Sequence, residues 1–167
     1  MKLIRAKKIS GSVKRKRKNV EAIVLHWTGN KGDTARANCN YFKNGNNRSA
    51  GAHIFLDEKE CLRSVPMNVI ANAVGGSIVS RANGASQYHA VYSNKNTVSI
   101  EICNFNSELS AKKKKQLKKA IKYVKRYCPN VRDVVLHYDI TGKDCPHYLV
   151  THKEYWYKLR KECRTWL

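Results

Sequence analysis

Two short apolar runs, A-I-V-L at 22–25 and V-V-L at 134–136, each end on a histidine, His26 and His137. Runs this short and rich in β-branched residues read as buried strands rather than helices. A third strand is written by alternation over Thr97–Cys103, where Val98, Ile100 and Ile102 face one way and Ser99, Glu101 and Cys103 the other. Helical spacing is clearest over Ser107–Cys128: Leu117, Ala120, Ile121, Val124 and Cys128 share a face, lysines fill the rest, and Pro129 closes the run. A chain carrying both periods is a mixed α/β domain. Its 167 residues and 42% hydrophobic content suit one domain with one core.

Shorter signals fill in the order. Asp33-Thr34 opens a helix with Ala35, Cys39 and Phe42 on one face, stopped by Asn44-Gly45. Ser49–Asp57 and Cys61–Val65 read as a hairpin ended by Pro66. From Gly75 to Asn96 the chain is rich in Gly, Asn and Ser without a period, a long loop of the kind that tends to be functional. A capping box, Thr151-x-x-Glu154, opens a final helix carrying Tyr155, Trp156, Leu159 and Cys163. Spacing alone does not fix how the strands pair.

Charge narrows the partners. Lys and Arg number 33 against 12 acidic residues, a net +21 that draws the protein toward a polyanion. Nucleic acid, an anionic membrane surface and anionic polymers of a bacterial wall all qualify. The basic run Lys14–Lys18 marks residues 1–19 as an N-terminal arm, either solvated or in contact with such a polymer. No apolar run is long enough to span a bilayer and the first ten residues lack a secretory signal, so the expected location is cytoplasmic. Six cysteines stand singly, at intervals of many residues, in apparent helices and strands. That spacing argues against a disulfide framework, and Cys39, Cys103 and Cys128 read as small buried apolar residues.

The chemistry-bearing residues gather at strand ends. His137 ends one strand, and a turn at Thr141-Gly142 returns Lys143 and Cys145 to the same mouth; His26 ends another. Imidazole and thiolate are the ligands zinc takes most readily, and three protein ligands with an open position make a catalytic site. Histidines at strand ends also serve as ordinary hydrogen-bonded residues, and spacing alone leaves both readings open. Among the others, His53 alternates with Ala52 and Ile54 and is placed to face a groove. His89 in the loop and His147 after Cys145-Pro146 are candidates to touch a substrate, and His152 is expected to face solvent.

The two histidine-terminated strands, the S-I-E-I strand and the segment T-G-K-D-C-P resemble the type 2 zinc-dependent N-acetylmuramoyl-L-alanine amidases, a superfamily shared with peptidoglycan recognition proteins. The resemblance runs from about Val20 to the last helix. It implies a single domain, 20–167, with a central mixed β-sheet flanked by helices, and one catalytic Zn2+ on His26, His137 and Cys145. It further implies Glu101 as general base and Lys143 as oxyanion stabiliser in cleavage of the amide between N-acetylmuramic acid and L-alanine. A histidine at the place of His53 is common in that family and does not bind the metal.

The chain departs from the family pattern at Ala52, where many members carry tyrosine, and at Asn72-Ala73, where they carry a Trp-His pair. Substrate contacts are what those departures touch. The expected partner is bacterial peptidoglycan, with anionic wall polymers drawn by the arm and the lysine helix, in an endolysin-type enzyme reaching the wall after release. Two other classes remain: a recognition module that binds peptidoglycan without cutting it, and a nucleic-acid-binding protein with a structural zinc closed by a fourth ligand such as His147 or Cys103.

Overall fold

A computed structural model describes residues 1–44 and 48–167. The histidine-ended strand, β1 (Ala22–Trp27), lies between β4 (Thr97–Ile102) and β5 (Asp133–Leu136) and runs parallel to both. Beyond β4 come β2 (Ile54–Leu56), parallel to it, and β3 (Cys61–Arg63), antiparallel to β2, giving the order β3-β2-β4-β1-β5. Sheets with mostly parallel strands are covered on both faces, which is why the 22–25 and 134–136 runs are apolar at every position.

The two faces have different covers. Ile23, Leu25, Val98, Ile100, Val134 and Leu136 pack against α2 (Ala111–Tyr127) and α5 (Lys153–Thr165), through Leu117, Ile121, Val124, Trp156 and Leu159. On the opposite face Ala22, Val24 and Val135 meet Val74, Tyr92 and Ile140, and Phe55 meets Ala35, Cys39 and Phe42 of α1 (Ala35–Asn44). A single mixed sheet with helices on it is the architecture expected from the resemblance.

Several element boundaries differ from the sequence reading. The alternation over 49–53 is not a ladder: Gly51 N–H donates to the Asn72 carbonyl and His53 N–H to that of Ser99, and regular pairing starts only at Ile54. The second hairpin strand stops at Arg63. The lysine helix begins at Ala111, because Ser110 caps it by accepting from Lys113 N–H. The Thr151/Glu154 capping box does not form. Thr151 ends a separate turn of helix, α4 (His147–Thr151), and its hydroxyl donates back to the His147 and Tyr148 carbonyls. A further short helix, α3 (His137–Thr141), occupies what read as strand end and turn. The expected helix stop at Asn44-Gly45 includes Gly45, which lies outside the described residues.

Residues 75–96 do form a long connection, with one 3-10 turn at Ala82–Gly84. It is tied to α3 by Val79, Ser86 and Tyr88 N–H groups donating to the Thr141, Tyr138 and Asp139 carbonyls. The N-terminal segment is also held. Ile4 and Ala6 N–H donate to the Arg63 and Ser64 carbonyls, and Lys14 bridges to Val69. The basic run is not uniformly solvated: Lys14, Lys16, Arg17 and Lys18 are exposed, but Arg15 turns inward and donates to the Thr97, Asn94 and Met67 carbonyls. All six cysteines are free and buried. No described helix is long and apolar enough to cross a membrane.

Candidate metal centre and cleft

Side chains alternate along a strand, so His26 shares a face with Ala22 and Val24, away from the α2–α5 core. In the parallel register of β1 and β4, His26 pairs with Glu101, and Phe55 of β2 continues the same row. Leu25 pairs with Leu136, so the next residue on β5, His137, arrives beside His26 with ring centroids 4.7 Å apart. His137 is the first residue of α3, and Asp139 secures that corner by accepting the Leu136 N–H at 2.8 Å.

Gly142 closes α3 in the left-handed region at φ +75° and turns the chain back. Tyr138 N–H then donates to the Cys145 carbonyl, bringing the Cys145 Sγ to 3.8 Å from His26 Nδ1. Ligand atoms of His26, His137 and Cys145 all lie within 4.8 Å of one another.

The electrostatics of this cluster suit a cation. Burial holds His26 well below its ordinary pKa, with His137, Lys143 and His53 adding to the effect, and burial and Lys143 bring His137 down to about 4. Both rings are therefore neutral donors at neutral pH. Burial and Glu101 push the Cys145 thiol up to about 12, against the Trp27 backbone and Lys143. His26 Nε2 and His137 Nδ1 are buried without a hydrogen-bond partner. Orphaned nitrogens are costly in a protein interior unless something absent from the polypeptide meets them. Two imidazoles and a thiol are a donor set for a borderline-soft metal ion, whose binding would displace one thiol proton. The residues fit a metal ion.

Glu101 stands beside the cluster. Its Oε2 is enclosed and has no partner. Burial pushes its pKa up to about 8, opposed by the Lys143 ammonium and reinforced by Asp33. Lys143 is exposed at the mouth and its charge acts on His26, His137, Cys145 and Glu101 together. These five residues line one cleft of about 620 Å³, with Trp27, Asp33, Tyr41 and Arg48 among its other walls. A second cleft of about 480 Å³ adjoins it, floored by Gly75, Gly76 and Val79 and sharing Asn72, Ala73, His137 and Lys143. The long 75–96 connection thus contributes a wall, and the small residues at Asn72-Ala73 lie at the junction.

The remaining histidines are elsewhere. His53 is fully enclosed, not in the groove: its Nδ1 accepts from Ser99 N–H, its Nε2 reaches the Val69 carbonyl at 3.0 Å, and the Arg15 guanidinium lies 2.9 Å away. Burial and Arg15 lower it to about 3, so it stays neutral. His89 lies against the Ile140 carbonyl, outside both clefts. His147 is exposed at the rim, paired with Asp144 at 2.7 Å and stacked on Trp27. His152 is exposed and stacks on Tyr148. Neither His147 nor Cys103 joins the three-residue cluster among the described residues.

Sequence reasoning missed Asp139, Asp33 and Trp27. Asp139 had a signal, since a carboxylate three residues after the last strand residue is the spacing at which a helix side chain returns to its N-cap. Asp33 was read only as a helix start. Its carboxylate accepts from Asn104 N–H and Asn38 Nδ2 and so is fixed at the cleft edge.

The chain as a whole is similar to known proteins in sequence and in structure. The family described as N-acetylmuramoyl-L-alanine amidase matches residues 16–163. N-acetylmuramoyl-L-alanine amidase BlyA of Bacillus subtilis (strain 168) is 31% identical over 150 residues, covering 83% of this chain and 40% of that protein. CwlL of Bacillus licheniformis, of the same activity name, is 27% identical over 138 residues, covering 76% of the chain and 36% of its own length. The chain thus spans about two fifths of the curated relatives it matches. Among solved structures, PlyL superposes with a TM-score of 0.76 at 19% identity, covering 98% of this chain and 96% of that one. The catalytic domain of XlyA gives 0.71 at 20% identity, over 96% and 98%.

Proposed function

Because the chain belongs to the N-acetylmuramoyl-L-alanine amidase family, we propose that it hydrolyses the amide joining the lactyl group of N-acetylmuramic acid to L-alanine in peptidoglycan. One observation carries this reading: three side chains able to hold a metal ion and an unpartnered buried carboxylate meet in one open cleft.

His26, His137 and Cys145 would hold one zinc ion. Bound there, zinc supplies Lewis acidity and lowers the pKa of water. Burial alone would keep Glu101 protonated, but with the bound cation and the Lys143 ammonium favouring its charged form it accepts the proton of the attacking water at its free oxygen and returns it to the departing L-alanine nitrogen. Lys143 brings an ammonium to the oxygen that gains charge as the carbonyl is attacked. Trp27, Tyr41 and the Asn72-Ala73 junction line the clefts beside the cluster and would contact bound glycan and peptide. A closed structural zinc site needs four protein ligands, and the three here favour hydrolysis over that alternative. Cys145 likewise favours an enzyme over a recognition module.

In this reading residues 20–167 are the catalytic unit and 1–19 a basic segment laid along it. The enzyme acts as an endolysin, reaching the wall after release from the cytoplasm, and its net +21 favours retention on anionic wall polymers. The test is incubation of zinc-loaded protein with purified muropeptide. New L-alanine amino termini are expected; release of reducing ends alone, or of no product, would overturn the assignment.

A further inference from the structure

A strongly basic surface lies on the side of the sheet away from the cleft, on α2. α2 packs its apolar stripe on the sheet and turns the rest of its length, about 25 Å for 17 residues, outward. Lys112, Lys115, Lys119, Lys122 and Arg126 are exposed on it and make no ion pair among the described residues. Of the basic residues on α2, Lys114 pairs with Glu162; the other ion pairs involve Arg36, Arg132, His147, Arg160 and Arg164, off this helix.

At the C-terminal half of α2 this surface gains order from outside the helix. Tyr123 and Tyr127, one turn apart, lie with ring centroids 4.5 Å apart. The guanidinium of Arg63, on the edge strand, sits over Tyr123 at 5.2 Å, and that of Arg17, from the N-terminal segment, over Tyr127 at 5.8 Å. Cation–π contacts hold flexible cations in place, reducing the entropy a ligand must remove. Three separate stretches of chain thus build one row, Arg63–Tyr123–Tyr127–Arg17, bordered by the free cations of α2.

We propose that this row and the outer face of α2 form a second binding site, for a linear phosphodiester polymer of the bacterial wall, distinct from the amide-cleaving cleft. The choice of a wall polymer rests on the amidase reading; the phosphate chemistry rests on the row itself. A polymer carrying one negative charge per repeat complements a line of fixed and mobile cations. Both rings are already engaged by a guanidinium and by each other, which favours a phosphate chain over the stacked bases that single-strand nucleic-acid sites use. Bound on the opposite face of the sheet, the polymer leaves the cleft open, so the enzyme is held on the wall while it cuts.

The experiment uses the full zinc-loaded chain and lipid-free poly(glycerol phosphate), with affinity measured at one fixed salt concentration. Arg17→Gln/Lys122→Gln/Arg126→Gln should weaken binding by at least about tenfold, given roughly fivefold per cation at an anionic surface. Tyr127→Leu changes no charge yet should weaken binding about threefold by releasing Arg17. Lys43→Gln/Arg81→Gln/Lys95→Gln removes three exposed charges elsewhere and should have little effect. Thermal unfolding of each variant checks the fold, and the surface triple keeps the test intact if Tyr127→Leu unfolds.

Equal losses in the two triples, or no polymer binding by the unmodified protein, would overturn the site. Tighter binding of a single-stranded oligonucleotide with the same number of phosphates would overturn it in favour of nucleic acid. Muropeptide cleavage is followed separately: its absence alongside the expected affinities counts against the amidase reading and leaves the phosphate site supported.

Discussion

His26 and Glu101 are register partners on adjacent parallel strands, β1 and β4, and so present their side chains on the same face at the same level. Parallel pairing makes this relation rigid, because a one-residue slip would turn either side chain into the α2–α5 core. The two sit near the carboxyl ends of their strands, where open α/β sheets place their ligands. The proposed metal ligand and the proposed proton acceptor are thus set side by side by the backbone.

Replacing Glu101 by Gln keeps the shape and removes the proton acceptor. The variant should hold zinc and fold normally while losing roughly 10²–10⁴ in turnover, the usual worth of a general base. Lys143→Ala should move turnover in the same direction through the loss of oxyanion stabilisation. Turnover from muropeptide, zinc content and thermal unfolding are measured on the same samples. Near-normal turnover in zinc-loaded Glu101→Gln would remove the base from the mechanism.

The metal assignment is checked apart from activity. His26→Ala, His137→Ala and Cys145→Ala should each lose zinc by elemental analysis after gel filtration, whereas His89→Ala and His152→Ala should retain it. Retention in all three ligand variants would place the metal elsewhere.

What the sequence made legible was local. Alternation over Thr97–Ile102 placed Glu101 opposite the core side, and the apolar runs delivered His26 and His137 to strand ends, because a period of two survives in any sheet. The turn at Thr141-Gly142 already returned Cys145 and Lys143 to the mouth of His137, and the family resemblance supplied their expected roles; both line the cleft with His26 and His137. The enclosure of His53 was not legible, since it depends on Arg15 and Val69, distant in sequence and brought in by tertiary packing. The short helices α3 and α4 were hidden for a related reason. Five residues carry too little period to read, and these turns are stabilised by contacts to other elements.

Arg15 shows how firmly the N-terminal segment is joined to the domain. It donates to the Thr97 carbonyl at 2.6 Å, Asn94 at 3.1 Å and Met67 at 3.3 Å, so Arg15→Ala leaves several partly buried acceptors unsatisfied. Destabilisation of about 1–3 kcal/mol is expected in denaturant titration. Lys16→Ala, at an exposed neighbour, should change stability little. Equal effects of the two would mean that the segment is a loose arm.

Asp133 gives a pH dependence. Burial alone would raise its pKa, but hydrogen bonds and charge from Arg164 and Arg160, with the Val134 N–H, outweigh burial and hold it below the ordinary range. A carboxylate with a depressed folded pKa contributes stability that is fully present above its unfolded value, about 3.9. That contribution is lost as pH falls through the lower folded value. Asp133→Asn should therefore be less stable by about 1–3 kcal/mol at neutral pH. The gap should close in acid as the native carboxylate is protonated. A gap that is constant down to strong acid would assign the effect to packing.

Gly142 links the backbone to the proposed metal centre. It caps α3 between His137 and Cys145 at φ +75°, where a side chain costs about 1–2 kcal/mol. A Cβ there would also stand 2.1 Å from the Ser80 carbonyl oxygen and 2.7 Å from its nitrogen, so either the 75–96 connection or the α3 turn must shift. The turn is what returns Cys145 to the histidines. Gly142→Ala should accordingly lower both thermal stability and zinc affinity, the latter read by competition with a chelator. Gly84 is the control, at φ +80° with open space around its Cβ position. Gly84→Ala bears the backbone strain alone and should keep zinc affinity. If the two variants lose stability equally and bind zinc equally, the close approach to Ser80 does not position the Cys145 ligand.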